Sequence, residues 1–246
     1  TVTVTDAPTA AQLKVINNAT NGAITLDVAN QALSGTASVL HDAFAGSVTT
    51  HTGTVTISDA PSVAQLKAIN AATTGAITLS TPTGAISGSV ADLLLAFAGT
   101  VTTHTGTVEI TDANTTDITA TDISTINGTN TGTITVTNTI DLNGSGSEVA
   151  AAIAAIDTNT GNVTANITGT DYTAAQLKTI NDATSGAIVL DNAGVNLSGT
   201  AAQLDAAFAG TVTTHTGTVT ISDAPSVAQL KAINAATTGA ITLSTP

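Results

Sequence analysis

The chain contains no cysteine and no methionine, and no arginine. Without cysteine no disulfide framework can form, so packing must hold the fold together. The absence of both sulfur residues is in keeping with an abundant secreted product selected for low sulfur cost. Four lysines face seventeen acidic residues, for a net charge of −13. Phosphate recognition needs clustered Lys or Arg, so nucleic acid is excluded as a partner. An anionic membrane surface is disfavoured for the same reason. No run of 18 apolar residues occurs, so no membrane insertion is expected, and no signal peptide is visible. Aromatics are scarce, with three Phe and one Tyr. Any core must therefore be built from small aliphatic layers, and 42 % apolar content is enough to make one continuous.

What the chain does have is repetition, which must be settled before any motif is interpreted. Residues 51–82 return letter for letter at 215–246, and the identity reaches back to Val48 and Val212. Five aspartates mark a larger period: Asp6, Asp59, Asp112, Asp171 and Asp223, at intervals of 53, 53, 59 and 52 residues. The repeats run over about 6–58, 59–111, 112–170 (diverged), 171–222 and 223–246 (partial). Each has an A half, such as 59–79, and a B half, such as 86–111. The chain begins without Met and stops inside a repeat, and is expected to be one continuous segment, 1–246, of a longer protein.

Each half opens with a helix signal. Ser/Thr-x-x-Gln capping boxes stand at Thr9/Gln12, Ser62/Gln65, Thr173/Gln176, Thr200/Gln203 and Ser226/Gln229. Such pairs satisfy free backbone N–H groups reciprocally. In B halves, Val90, Leu93, Leu94 and Phe97 fall on one helical face, and Gly46, Gly99 and Gly210 supply a left-handed helix end. Each half closes with a short β-branched strand, such as 54–57 or 76–79. A shorter coil, from Val55 to Ile77, alternates with a longer one, from Ile77 to Val108, and the two together make one period. The expected fold is an α/β solenoid of short strand–helix coils, with a parallel sheet on one side and short helices on the other. An all-β solenoid is the rival, against which the capping boxes argue.

The candidate sites are repeated residues. His51, His104 and His215 share one B position. Equivalent residues two strand layers apart lie roughly 10 Å apart, too far to share a metal, so a turn or surface role is expected. Asp6, Asp59, Asp112, Asp171 and Asp223 are the only calcium candidates, but the Asp-x-Asp-x-Asp loop is missing, and capping of the helix that follows each Asp is favoured. No metal and no cofactor is expected. Lys14, Lys67, Lys178 and Lys231 form a solvent-facing stripe beside acids such as Asp92 or Asp205. Thr-rich runs such as VTTHTGTVT suit exposed strand positions, and also suggest an ice-ordering or glycosylated surface. No nucleophile–base–acid set, zinc motif or phosphate loop occurs, so the chain is not expected to be an enzyme.

The runs AQLKAINAATTGAITL and LSGTAAQLDAAFAGTVT resemble the repeats of giant Thr/Ala/Gly-rich bacterial cell-surface proteins of the marine cyanobacterial type. That resemblance implies an extracellular, cell-surface structural component: a fibre, sheath or layer whose partners are copies of itself, end to end or side by side. The alternative is a binding module, either an adhesin stalk contacting glycans or a Thr-rich ice-binding solenoid.

Overall fold

The computed structural model describes residues 1–244; the last two residues of the partial repeat, 245 and 246, lie outside the described residues. Two compact units divide the chain. Unit 1 holds Thr1–Ile110 and Ile126–Ile134, and unit 2 holds Thr111–Thr125 and Thr135–Pro246. Each is an α/β stack whose strand pairs are all parallel.

In unit 1 the order is β1 (Val2–Val4), α1 (Ala10–Asn18), β2 (Ile24–Leu26), β3 (Leu33–Gly35), α2 (Ala37–Ala43), β4 (Val55–Ile57), α3 (Val63–Ala72), β5 (Ile77–Leu79), β6 (Ile86–Gly88), α4 (Val90–Ala96) and β7 (Val108–Ile110). Three sheets result: β1–β2, β3–β4–β5 and β6–β7. The helices pack in chain order, α1 on α2, α2 on α3 and α3 on α4.

In unit 2 the order runs β8 (Asp117–Thr119), the start of α5 (Ala120–Thr129), β9 (Ile134–Val136), β10 (Asp141–Gly144), α6 (Gly146–Ala154), β11 (Thr158–Asn159), β12 (Thr164–Ile167), α7 (Ala174–Ala183), β13 (Ile188–Leu190), β14 (Leu197–Gly199), α8 (Ala201–Ala207), β15 (Val219–Ile221), α9 (Val227–Ala236) and β16 (Ile241–Leu243). Strands β8–β10–β12–β13 form one sheet and β14–β15–β16 another, while β9 pairs with β11.

The expected capping boxes all form, and Ser145/Glu148 adds one more. Gly46, Gly99 and Gly210 take φ of 72°, 69° and 71°, the left-handed ends foreseen for the B helices. On α4, Val90, Leu93, Ala96 and Phe97 are buried, whereas Leu94 is only half-buried. Strand side chains alternate: Val55 and Ile57 are buried around a half-buried Thr56.

Strand counting departs from expectation. Ile77 does not step directly to Val108. It bridges to Val101, and Val108 pairs with Ile86, in a strand that the sequence did not announce. The periods 6–58, 59–111 and 171–222 thus each hold three strands and two helices, while the diverged period 112–170 holds five strands and two helices. Leu33, Val55 and Ile77 pair at equal steps, and a short link from Leu79 leads to Ile86, where a new sheet starts.

Helices recur at a longer spacing, at Ala37, Val63 and Val90. Packed helices need about 8–10 Å between axes, whereas strands stack at about 4.8 Å. Along the chain, helix starts are spaced about one helical turn further apart than paired strand residues. The strands thus drift ahead of their helices, and after β5 one column ends and the next begins at β6.

Column ends are closed by side chains. The Thr102 hydroxyl donates to the Ile77 carbonyl (3.3 Å) and accepts the Leu79 N–H (3.2 Å), in the place of a further strand. Thr49 and Thr213 do the same for Ile24/Leu26 and Ile188/Leu190. These threonines of the VTTHTG runs serve the ladder. The strand Thr rows on the surface are short, as in Ser34–Thr56–Thr78.

Candidate functional site

The three B-half histidines are buried, at most 3 % exposed. This overturns the expected turn or surface role. A polar Thr-Thr-His-Thr-Gly stretch looks like a loop, but each imidazole turns inward between two neighbouring coils. His51 Nε2 lies 2.6 Å from the Gln31 carbonyl oxygen, and Nδ1 lies 3.1 Å from the Thr73 hydroxyl. His215 repeats this with Val195 (2.7 Å) and Thr237 (3.2 Å). His104 meets the Gly84 carbonyl (2.7 Å) and, in place of Thr, the Asn130 amide oxygen (2.9 Å). A carbonyl can only accept, so the proton on Nε2 is assigned by that contact.

A phenylalanine completes each cluster. Phe44, Phe97 and Phe208 tilt against His51, His104 and His215 at centroid distances of 5.5, 5.6 and 5.5 Å. All three Phe of the chain are used this way, each at the same short distance in sequence before its His. That spacing was the available sequence signal for burial. Burial pushes the His51 and His215 imidazoles below the ordinary histidine value, and the carbonyl bonds offset part of that shift. Both rings are thus held neutral, as coil-to-coil connectors. His41, on α2, is half-exposed and contacts Asp42.

Two of the periodic aspartates, Asp59 and Asp223, cap helices, but not the helices expected. Asp59 Oδ1 accepts the Ala37 N–H at 2.7 Å, and Asp223 Oδ1 accepts the Ala201 N–H at 2.6 Å. Each therefore caps the preceding B helix, while Ser62 and Ser226 cap the helices that follow. Among the described residues no three His, Asp or Glu side chains gather as a metal-binding group around Asp6, Asp59, Asp112, Asp171, Asp223 or elsewhere.

The lysine stripe is paired across coils, Lys14 with Asp42 at 2.8 Å and Lys67 with Asp92 at 2.6 Å. Lys178 pairs within its own helix, with Asp182 rather than Asp205. Lys67 lowers the Asp92 carboxyl below its usual range, as Lys14 does for Asp42 with help from His41.

One recurrent device was missed from sequence. Asn70 reaches from α3 to the last turn of α4, donating to the carbonyls of Leu95 (2.9 Å), Ala96 (3.3 Å) and Ala98 (2.9 Å). Asn17 and Asn181 bind the ends of α2 and α8 likewise. These groups satisfy the orphan carbonyls that every helix end leaves. The periodic Asn in each A helix was the signal.

Each A strand is also preceded by a glycine that is pressed against the neighbouring coil. A Cβ built on Gly75 would come within 1.7 Å of the Gly53 carbonyl oxygen.

No helix of the described residues is long and apolar enough to cross a membrane. Comparison with protein-family models, with curated proteins and with solved structures finds no match.

Proposed function

We propose that this chain is a structural repeat segment of a long secreted bacterial fibre, sheath or layer at the cell surface. One observation carries the reading. The side chains best suited to chemistry are engaged in bonds between neighbouring coils, and the same bonds recur from repeat to repeat. His51 and His215 join coils through Thr and a carbonyl, Asp59 and Asp223 cap the helix before them, and Asn17, Asn70 and Asn181 close the helix after them. Function of this kind scales with the number of coils rather than residing in one of them. A building role is the proposal, with no cofactor required and copies of the same chain as partners. The charge of −13 suits a polymer that must stay soluble while packed side by side.

The test is surface labelling. Antibody raised against 83–111 should label intact, unpermeabilised cells of the native source along extended structures. Labelling that appears only after permeabilisation would refute the proposal.

A further inference from the structure

The three buried histidines hold equivalent places, but their second partners differ in chemistry. Each Nε2 faces a backbone carbonyl, of Gln31 (2.6 Å), Gly84 (2.7 Å) or Val195 (2.7 Å), so each Nε2 carries a hydrogen. What Nδ1 meets then decides the charge on the ring. For His51 and His215 it meets the hydroxyl of Thr73 or Thr237. A hydroxyl both donates and accepts, and can turn its hydrogen toward a bare Nδ1. The other acceptor open to the Thr73 hydrogen is the His51 carbonyl, which already receives the Thr74 N–H at 2.9 Å. That turn therefore leaves nothing unbonded, and a neutral ring fits.

For His104 the second partner is Oδ1 of Asn130, at 2.9 Å, and an amide oxygen has no hydrogen to give. Gly132 fixes the amide in this sense: its N–H donates to Oδ1 (3.1 Å), and its carbonyl accepts from Nδ2 (2.8 Å). Gly132 has no room to move aside, since a Cβ on it would lie 2.0 Å from the Gly106 carbonyl oxygen. With an acceptor at both nitrogens, the closed contact uses a hydrogen on both. We propose that His104 is a proton-binding site: its imidazolium ties the coil of Gly84 to the coil of Asn130, and loss of the Nδ1 proton opens that tie.

The groups facing His104 are Phe97 at the end of α4, Gly84 ahead of β6 and Asn130 after α5; none is charged and none titrates. They suit a cation all the same. Hydrogen bonds from a charged donor are the strong ones, and the Phe97 ring, 5.6 Å away, lies within the range at which an aromatic face attracts a cation. When the Nδ1 proton passes to water, two lone pairs face each other across the contact. The Asn130 amide then turns over or withdraws, and either movement takes Oδ1 from the Gly132 N–H. In the other copies the matching N–H groups, of Gly75 and Gly239, rest on threonine hydroxyls and feel no such change. A histidine contact of this kind is a pH-operated joint, present in one place of the array and independent of any cell-surface role.

The test is NMR of the imidazole nitrogens in the full chain, titrated upward from acid, with His104 assigned by its loss in His104→Gln. An imidazolium shows two similar, protonated nitrogens, and a neutral ring shows one bare nitrogen. His104 should lose its second ring proton last of the three buried histidines, and the Gly132 amide signal should move with it while that of Gly75 does not. Two reciprocal swaps follow, each using the residue that already stands at the matching place of another repeat. Asn130→Thr should bring His104 into line with His51 and His215, and Thr73→Asn should make His51 lose its proton later. The proposal is overturned if His104 of the parent shows a bare Nδ1 together with or before the other two. It is equally overturned if His104 titrates with Gly132 unmoved, or if neither swap changes the order.

Discussion

Asp59 caps a helix that is not its own: its Oδ1 accepts the N–H of Ala37, which opens the helix of the preceding half-repeat. The carboxylate thereby links one coil to the next at the positive end of a helix dipole. Asp59→Ala should lower stability by about 1 kcal/mol, the usual value of an N-terminal cap. Asp59→Asn should retain most of it, since the amide oxygen can still accept. Urea melts of the three proteins check this. The same melts in excess calcium and in excess chelator should coincide for the parent. A chelator-induced fall in Tm above about 10 °C, or roughly 2.5 kcal/mol or more for a chain of this length, would mean that the aspartates hold an ion.

His51 and His215 set a pH dependence. Their folded-state values lie below the unfolded value of about 6.5, so the unfolded chain takes up protons first as pH falls. The groups around His51, from Gln31, Thr73 and Phe44, are uncharged and do not oppose this. Stability should be level above about pH 7.5, begin to fall near pH 6.5, and flatten only below the folded-state values. The double variant His51→Gln, His215→Gln should be less stable at pH 8 and should lose much of the slope between pH 7 and 5. An unchanged slope would contradict the buried neutral state.

Gly75 and Gly99 separate two reasons for glycine. A methyl on Gly75 would collide with the Gly53 carbonyl, so Gly75→Ala should cost about 3 kcal/mol, the upper range for overpacked sites. Gly99 has open space but a φ of 69°, so Gly99→Ala should cost only about 1–2 kcal/mol, the penalty of a left-handed backbone. Denaturant midpoints will rank them, and the reverse order would contradict the close coil approach.

The local signals were legible because they are local. The Ser62/Gln65 box, the Gly99 helix end and the step from Val55 to Ile77 could all be taken from the sequence and are all present. Strand β6, Ile-Ser-Gly, was not legible: it has one apolar residue and a terminal glycine, and its pairing is decided by Val108, in the coil that follows. His51 was misplaced for a related reason. Its neighbours in sequence are polar, and its burial comes from Phe44 and from the coil that carries Thr73. Asp59 and Asn70 were visible as periodic residues, but their partners lie in adjacent coils, and only the strand register shows which coil that is.

The period itself can be tested by deletion within unit 1. Removing 33–85 takes out one whole period and joins residue 32 to Ile86, the equivalent of Leu33. All three strand steps and both helices are removed as a set, so the shortened chain should fold, with mixed helix and strand by circular dichroism. Removing 33–58 alone should bring two A halves together without the Asp and helix-end carbonyls they require. It should broaden or abolish the cooperative melt. Equal tolerance of the two deletions would contradict the three-strand, two-helix period.

The central claim is that coil number sets function by setting length. The direct measurement is electron microscopy of chains carrying zero, two, four and eight inserted copies of the full period. Particle length should grow by a constant increment of roughly 10 Å per copy, about two strand spacings, at unchanged width. Particles that stay the same length while their width grows with copy number would contradict it.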